Sequence, residues 1–339
     1  VVFGAETIEV RLADGRKLDA EWSRTDPQTD LAVVKIDAGD LVQTPLGDSE
    51  AMQVGDWVLA IGSPRGLPQT VTAGIISAKG RVTGRPNAYE NYLQTDAAIN
   101  RGNSGGPLVN MKGEVIAINN SILSFSGGNE GIGFAIPSNM ARRIMTQLIE
   151  EGRVTRGFLG VVIQNIDEKL AESFDLPHTR GALVAQVKED SPAGRAGIRE
   201  GDFIVRIDGK EVENVNELRN LVAAIEPGRT VSMDILREGA PETLEVTIEA
   251  QPEDMAAAFG QGGPEEQLDR YGLEVTTLTA ELAEENGYDA DTRGVLITGV
   301  DPNSDAAEQQ LRPGMVITQV NRRRVTGAAG LAALLGRDE

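Results

Sequence analysis

Short runs of β-forming residues alternate with turn residues over the first 137 positions of the chain. The run TIEVRLADG ends in an Asp-Gly pair and is followed by KLDAEWSR, a pattern typical of a β-hairpin. Further runs follow in the order LAVVKI, WVLAIG, TVTAGIIS, EVIAINNSIL and GIGFAI. Strands at such short intervals predict a barrel or a sandwich.

The hydrophobic period changes after Pro137. Met140, Ile144 and Leu148 recur at helical spacing, and Ser138 stands where a helix cap is expected. This spacing predicts an amphipathic helix whose apolar positions pack into a core.

An internal repeat occupies the rest of the chain. SPAGRAGIREGD, from Ser191, is echoed by SDAAEQQLRPGM, from Ser304, and Gly201 and Gly314 occupy equivalent positions. A period near 100 residues indicates tandem domains, and the Gly-, Pro- and Glu-rich stretch between the copies predicts a linker. The predicted organisation is a first domain at 1–152, repeat domains at 153–251 and 268–339, and a linker at 252–267.

Composition excludes several classes of function. The chain has 32 basic and 52 acidic residues, and this net charge of −20 disfavours nucleic acid as a partner. The absence of cysteine excludes disulfides and thiol catalysis, and the single histidine excludes a multi-histidine metal centre. No apolar run approaches the length of a membrane span.

The hexapeptide GNSGGP, from Gly102 to Pro107, is a candidate for nucleophilic chemistry. Glycines on both sides of Ser104 permit unusual backbone angles and let N–H groups point at a developing oxyanion. A glycine-rich turn that contains serine is also common in ordinary loops. The hexapeptide alone therefore leaves both interpretations open.

GNSGGP resembles the nucleophile turn of chymotrypsin-fold serine proteases, and a longer series of motifs resembles the HtrA/Deg family. The series consists of TDPQTDLAVVKID, GSPRG, TVTAGIIS, QTDAAINRGNSGGPLVN and GIGFAIPSNM. The two repeats resemble the PDZ domains that follow the protease domain in that family. The resemblance implies a mainly β protein, with a chymotrypsin-like double β-barrel followed by two α+β PDZ domains. It also implies an ATP-independent serine endopeptidase of the periplasm or bacterial cell envelope that degrades unfolded or misfolded proteins, without metal or cofactor.

The resemblance assigns catalytic roles to matching positions. Ser104 is expected to be the nucleophile, and the backbone N–H groups of Gly102, Asn103 and Ser104 are expected to form the oxyanion hole. Asp30 is expected to orient the histidine of the triad. Asp26 is the alternative carboxylate, but Asp30 leads directly into an apolar strand and is preferred.

The expected general base is missing from its place in the chain. Family order puts the triad histidine before Asp30, where no histidine occurs. We therefore expect it upstream of Val1, and we expect the sequence to continue at both ends, with the second PDZ domain incomplete. His178, in DLPHTRG, comes in the wrong order and is expected to lie in a surface loop. Residues 1–339 alone should then be nearly inactive.

Substrate contacts are also implied by the resemblance. An aliphatic S1 pocket is expected, which predicts cleavage after small or β-branched aliphatic residues; its candidates are Ile99, Ser121 and Ile122. PDZ domains add a peptide C-terminus as a strand and hold its carboxylate in a glycine-containing loop. The matching loops are Phe158, Leu159, Gly160 and Val161 in the first copy, and Tyr271, Gly272 and Leu273 in the second.

Two questions stay open from sequence. Leu218, Leu221 and Val222, on the helix predicted within residues 214–225, could line the peptide groove or belong to the core. The functional alternative to a protease is a non-proteolytic, peptide-binding chaperone or scaffold, which also describes a chain without the histidine. Family members assemble as trimers, so the resemblance implies a homotrimer or a multiple of trimers for the intact protein.

Overall fold

The computed structural model describes residues 2, 4–64, 67, 69–85, 88–124, 127–174, 176, 178–252, 272–278, 282–283, 286–289, 292, 294–301, 304–309, 311–320, 323–325 and 331. The chain divides into two compact units, Val1–Ala250 and Gln251–Glu339. No helix among these residues is both long and apolar enough to cross a membrane.

The N-terminal strands form a three-stranded antiparallel sheet. It contains β1 (Glu9–Arg11), β2 (Lys17–Asp26) and β3 (Leu31–Ile36). β1 and β2 form the predicted hairpin, with Val10 opposite Leu18. The short turn between β2 and β3 carries Asp30, which adopts a φ of 58°.

Six antiparallel strands then close into a barrel in the order β4-β5-β6-β9-β8-β7. These strands, β4 to β9, are Trp57–Gly62, Thr70–Arg81, Tyr92–Thr95, Pro107–Asn110, Val115–Ile122 and Gly133–Pro137. Aliphatic side chains fill the interior, including Val58, Ile76, Leu108 and Ile116, each with no exposed surface. Closure removes the unpaired edges of the sheet, and so gives the loops between strands a fixed frame.

Helix α1 (Ser138–Glu150) packs against the barrel and the N-terminal sheet. Ile144 and Leu148 are buried, as the helical spacing predicts. The predicted cap at Ser138 is wrong, because Pro137 occupies the cap position. The Ser138 hydroxyl instead donates to the carbonyl of Gly47, at 2.8 Å.

The first repeat is a small sheet with three helices. Its strands, β10 to β17, are Gly157–Phe158, Val161–Gln164, Ala182–Val187, Phe203–Ile207, Lys210–Glu211, Thr230–Arg237, Ala240–Thr247 and Glu249–Ala250. Its helices, α2 to α4, are Glu168–Ser173, Pro192–Ala196 and Val215–Ala224. The sheet order is β11-β12-β13-β15-β16, while β14 pairs with β13 and β10 with β17.

Helix α4 packs on this sheet through its apolar side. Leu218 and Val222 belong to the core cluster, and Leu221 packs against that cluster while partly buried. Core packing is therefore their role in this structure. On its other side, α4 contacts the loop before β6, where the side-chain amides of Asn216 and Asn220 donate to the carbonyl of Glu90 at 2.8 and 2.7 Å.

The second unit contains the other copy of the repeat. The bounds of β18 to β22 are Leu273–Thr277, Val295–Val300, Val316–Ile317, Gln319–Val320 and Arg323–Arg324, and α5 is Asp305–Glu308. β18, β19 and β20 form one sheet, and β21 pairs with β22. The predicted boundaries of the domains and of the linker, most of which lies outside the described residues, stay predictions.

Candidate active site

The serine-containing turn lies between β6 and β7 and is held by backbone hydrogen bonds. The N–H of Gly105 donates to the carbonyl of Asn119 at 2.8 Å, and the N–H of Asn119 donates to the carbonyl of Gly106 at 2.9 Å. Asn119 belongs to β8, so the barrel wall supports the turn directly. This support fixes the backbone on which Ser104 is mounted.

Glycine is required at two positions of the turn. Gly102 has a φ of 109°, and a Cβ there would lie 2.2 Å from the carbonyl oxygen of Ser63. A Cβ on Gly106 would lie 2.2 Å from the carbonyl oxygen of Ile61. The turn therefore packs against the end of β4 and the residue that follows it more closely than any side chain allows.

The three backbone donors predicted for the oxyanion hole differ in their present contacts. The N–H of Asn103 donates to the carbonyl of Asn100 at 2.9 Å. Within the described part of the chain, no hydrogen bond engages the N–H groups of Gly102 and Ser104. In this conformation only those two could receive an oxyanion.

Ser104 and Asp30 meet at one residue, Asn120. The Ser104 hydroxyl donates to the backbone carbonyl of Asn120 at 2.8 Å. The side-chain amide of Asn120 donates to Oδ2 of Asp30, also at 2.8 Å. The predicted nucleophile and the predicted acid thus lie on either side of one residue, and both are partly open to solvent.

Asp30 also faces a cation. Arg85 Nη1 lies 3.8 Å from the same oxygen of Asp30, and both side chains are about half exposed. Solvent screens such a pair, so the contribution of this pair to stability is small.

The alternative carboxylate, Asp26, has a different environment. It lies in the interior and forms a salt bridge with Arg156, at 2.6 Å, with both side chains 5% exposed. The Thr29 hydroxyl donates to the same carboxylate oxygen. The guanidinium of Arg156 also lies 4.6 Å from the centre of the Tyr89 ring. Asp26 is therefore committed to a buried ion pair.

A buried phenol lies close to Asp30. Tyr92 packs against Phe134, with ring centres 5.7 Å apart. Burial raises the pKa of Tyr92 to about 12, and the negative charges of Glu90 and Asp30 add to this effect while Arg85 opposes it. The phenol is therefore neutral at physiological pH.

The residues predicted for the S1 pocket lie near one another on the barrel. Ile99 is buried in the barrel core, and Ile122 packs against the same core cluster. Ile122 pairs with Gly133 across β8 and β9, and a Cβ on Gly133 would lie 2.8 Å from Cδ1 of Ile99. Ser121, in the same strand, is partly buried.

The candidate carboxylate loop of the first repeat has a left-handed glycine at its centre. Gly160 has a φ of 85°, and a Cβ there would lie 2.1 Å from Cβ of Ser191. Phe158 and Leu159 are buried, while Val161 begins β11. Ser191 caps helix α3 and also donates to the carbonyl of Gly160 at 3.2 Å.

The second repeat has the same construction. Gly272 has a φ of 69°, and a Cβ there would lie 2.2 Å from Cβ of Ser304. Leu273 is buried, whereas Tyr271 lies outside the described residues. The two loops thus share the glycine–serine contact that the repeat in the sequence suggests.

The single histidine lies in the first repeat. His178 is exposed, and its Nδ1 accepts a hydrogen bond from the backbone N–H of Arg180 at 3.3 Å. This placement agrees with the predicted surface loop.

Sequence reasoning missed Asn120 and Arg156. Asn120 stands 16 residues after Ser104 and 90 after Asp30, and Arg156 stands 130 after Asp26. Nothing in the local sequence links residues so far apart. Asn120 lies within residues 119–123, which match the S1 segment of the family, and this match was the available signal for the first of them.

Comparison with known proteins identifies related protease and PDZ domains. Residues 1–118 match the model of the trypsin-like peptidase domain, and residues 157–248 match that of the PDZ domain. A probable periplasmic serine endoprotease DegP-like of Chlamydia trachomatis serovar D is 47% identical over 336 residues, which are 99% of this chain and 66% of the relative. A protein of the same description from Pseudomonas fulva is 46% identical, over 97% of this chain and 68% of the relative.

Solved structures show the same similarity. The HtrA-type protease AlgW with tripeptide is 47% identical and superposes with a TM-score of 0.65, over 75% of this chain and 84% of that one. The serine endoprotease from Yersinia pestis is 42% identical, with a TM-score of 0.51, over 74% and 82% of the two chains. The present chain spans about two thirds of the length of the curated relatives, at 66% of the chlamydial protein.

Proposed function

Because the chain belongs to the HtrA-type, DegP-like family of serine endoproteases, we propose that the protein cleaves polypeptides through an acyl-enzyme on Ser104. The observation that supports this most is that Ser104 and Asp30 are both hydrogen-bonded to Asn120, each at 2.8 Å. In the proposed mechanism, the predicted upstream histidine takes the hydroxyl proton of Ser104 and later delivers it to the leaving amine. Asp30 holds the tautomer and orientation of that histidine.

The oxyanion of the tetrahedral intermediate is proposed to bind to the N–H groups of Gly102 and Ser104. Asn103 is the third proposed donor, and its N–H must first leave the carbonyl of Asn100. That step would require a change in the peptide plane of the turn. The turn in this structure then corresponds to a resting arrangement.

Specificity is proposed to come from the aliphatic wall of Ile99 and Ile122, with Ser121 beside them. Such a pocket takes small or β-branched aliphatic side chains, and it discriminates between them only modestly. Broad cleavage of this kind suits unfolded or misfolded substrates, because unfolding exposes aliphatic residues that a native protein buries.

Peptide C-termini are proposed to bind at the two glycine-containing loops. In the first PDZ domain a peptide would pair with β11, and its carboxylate would meet the loop from Phe158 to Val161. The loop around Gly272 is proposed to do the same in the second. We assign the protease domain to 1–152 and the PDZ domains to 153–251 and 268–339, on either side of a linker at 252–267.

The relatives described as periplasmic support the same location for this protein. A homotrimer, or a multiple of trimers, is proposed for the intact protein on family grounds. The acidic surface implied by a net charge of −20 does not favour nucleic acid as a partner.

Labelling by a fluorophosphonate probe tests the proposed activity. It should be applied to the full-length protein with its native upstream sequence, to residues 1–339 alone, and to full-length Ser104→Ala. We expect labelling of the full-length protein, none of Ser104→Ala, and labelling of residues 1–339 slower by about 10⁶, the loss that removal of a triad histidine causes. No labelling of the full-length protein, even with an activating peptide, would favour a non-proteolytic chaperone or scaffold.

A further inference from the structure

Asn120 occupies an irregular position in its strand. β8 pairs regularly with β9 up to Asn119, opposite Ala135, and the next pair joins Ser121 to Phe134. Asn120 is therefore the extra residue of a β-bulge. A bulge changes the direction of a side chain relative to its strand, and such irregularities are common beside active sites.

The neighbouring asparagines of β8 have different partners, because successive side chains of a strand point to opposite faces. Asn119 is 1% exposed, and its amide donates inward to the carbonyls of Ile61 and Pro107. Asn120 instead donates across the site to Asp30.

The Asp30 carboxylate needs an orienting donor. Asp30 sits in a left-handed backbone conformation at the turn between β2 and β3, with its side chain 48% exposed. Its charged neighbour is Arg85, at 3.8 Å, and its titratable neighbour is the phenol of Tyr92, which is neutral at physiological pH. Arg85 is long and exposed, whereas Asn120 is short and lies on the barrel, so Asn120 is the more rigid partner.

We propose that Asn120 is a positioning residue of the catalytic site. Its side-chain amide orients the carboxylate of Asp30 toward the histidine, while its backbone carbonyl accepts the hydrogen bond of the resting Ser104 hydroxyl. The inference rests on the proposed protease function. It assigns Asn120 no direct part in bond making, since it acts through Asp30 and Ser104.

Kinetics of full-length variants test the role of the amide. Asn120→Ala removes the donor, and we expect kcat to fall about tenfold to hundredfold with little change in KM, the range expected for a hydrogen bond to a charged group. Asn139→Ala is the matched control. Its amide also donates to a carboxylate, that of Asp48 at 2.7 Å, but at the start of α1. This control should leave kcat unchanged.

Asn120→Asp gives a readout that a merely structural residue would not. This substitution conserves shape, so folding should be retained, and melting temperatures check this. At low pH two carboxylates this close share a proton, which can replace the hydrogen bond of the amide. At higher pH both are charged and repel each other. The ratio of variant to wild-type kcat/KM should therefore fall as pH rises from about 5 to 8, whereas the ratio for Asn120→Ala should stay flat.

The possible outcomes distinguish a failure of the positioning role of Asn120 from a failure of the proposed protease function. Suppose that the wild-type enzyme is active and the Asn120 variants are folded. If kcat of these variants then stays within about twofold of wild type, or if the kcat/KM ratio of Asn120→Asp does not change with pH, the positioning role alone is overturned. A full-length wild-type protein that neither labels nor cleaves would overturn both proposals.

Discussion

The guanidinium of Arg156 donates to the carboxylate of Asp26 at 2.6 Å, and each of the two side chains is only 5% exposed. Arg156 follows α1 and lies at the start of the proposed first PDZ domain. Asp26 ends β2, four residues before Asp30. The ion pair therefore connects the start of the PDZ domain to the turn that carries the proposed catalytic acid.

Substitution at the two aspartates should separate stability from catalysis. Asp26→Asn leaves the charge of Arg156 buried without its partner, and we expect the free energy of unfolding to fall by about 3–5 kcal/mol. Asp30→Asn changes a half-exposed side chain, so stability should change little while kcat falls by about 10⁴, as expected for the wrong histidine tautomer. Urea unfolding and peptidase assays on both full-length variants check this. Loss of activity in a fully stable Asp26→Asn protein would identify Asp26 as the acid instead.

Tyr92 should make the protein less stable at alkaline pH. Its pKa is raised from 10.0 to about 12, chiefly by burial, so the folded protein keeps a proton that the unfolded chain loses first. The stability from the neutral phenol is full below about pH 10 and is lost as pH rises towards about 12. Urea unfolding across this range should show a steeper decline for wild type than for Tyr92→Phe, which keeps the packing against Phe134. Equal declines would contradict the assigned pKa.

Gly102 should tolerate no side chain. In Gly102→Ala the Cβ would collide with the carbonyl oxygen of Ser63, at 2.2 Å, and the turn would have to move. We expect kcat to fall about 10²–10³, the loss typical when one oxyanion donor is removed. Gly113→Ala is the matched control, because Gly113 also has a positive φ, 78°, but open space around it. Similar losses in both variants would mean that stability, rather than the oxyanion turn, is affected.

Peptide binding should depend on the glycine–serine contact in the PDZ domain and in the second repeat. Gly160→Ala places a Cβ 2.1 Å from Cβ of Ser191, and Gly272→Ala places one 2.2 Å from Cβ of Ser304. Each variant should weaken binding of a C-terminal peptide to its own domain more than about tenfold, since the backbone strain and the displaced loop add. Calorimetric titration measures this, with an amidated peptide as the ligand control. Gly197→Ala, with a φ of 83° but no atom within 4 Å, reports the cost of backbone strain alone.

The sequence predicted strands and special glycines well because both are local properties. β3 (Leu31–Ile36) and β4 (Trp57–Gly62) coincide with the runs LAVVKI and WVLAIG. Ser138 was a local prediction that failed, because its hydroxyl finds Gly47, 91 residues away. Asn120 was beyond prediction for the same reason, since its proposed role depends on partners that the fold brings together.

Gly133 should control the size of the proposed S1 pocket. A Cβ there would lie 2.8 Å from Cδ1 and 3.3 Å from Cγ1 of Ile99, whose side chain is 1% exposed in the barrel core. Because the close-packed core leaves Ile99 no space to move away from the new methyl group, Gly133→Ala should push Ile99 into the proposed pocket. Larger residues at the cleavage site should then be disfavoured. We expect the ratio of kcat/KM for cleavage after Val to that after Ala to fall about tenfold, within the 1–3 kcal/mol typical of one methylene. Adding Ile99→Val removes the colliding Cδ1 and should restore most of the ratio, which a double-mutant cycle on paired peptide substrates would measure. An unchanged ratio in Gly133→Ala would place the specificity pocket elsewhere on the barrel.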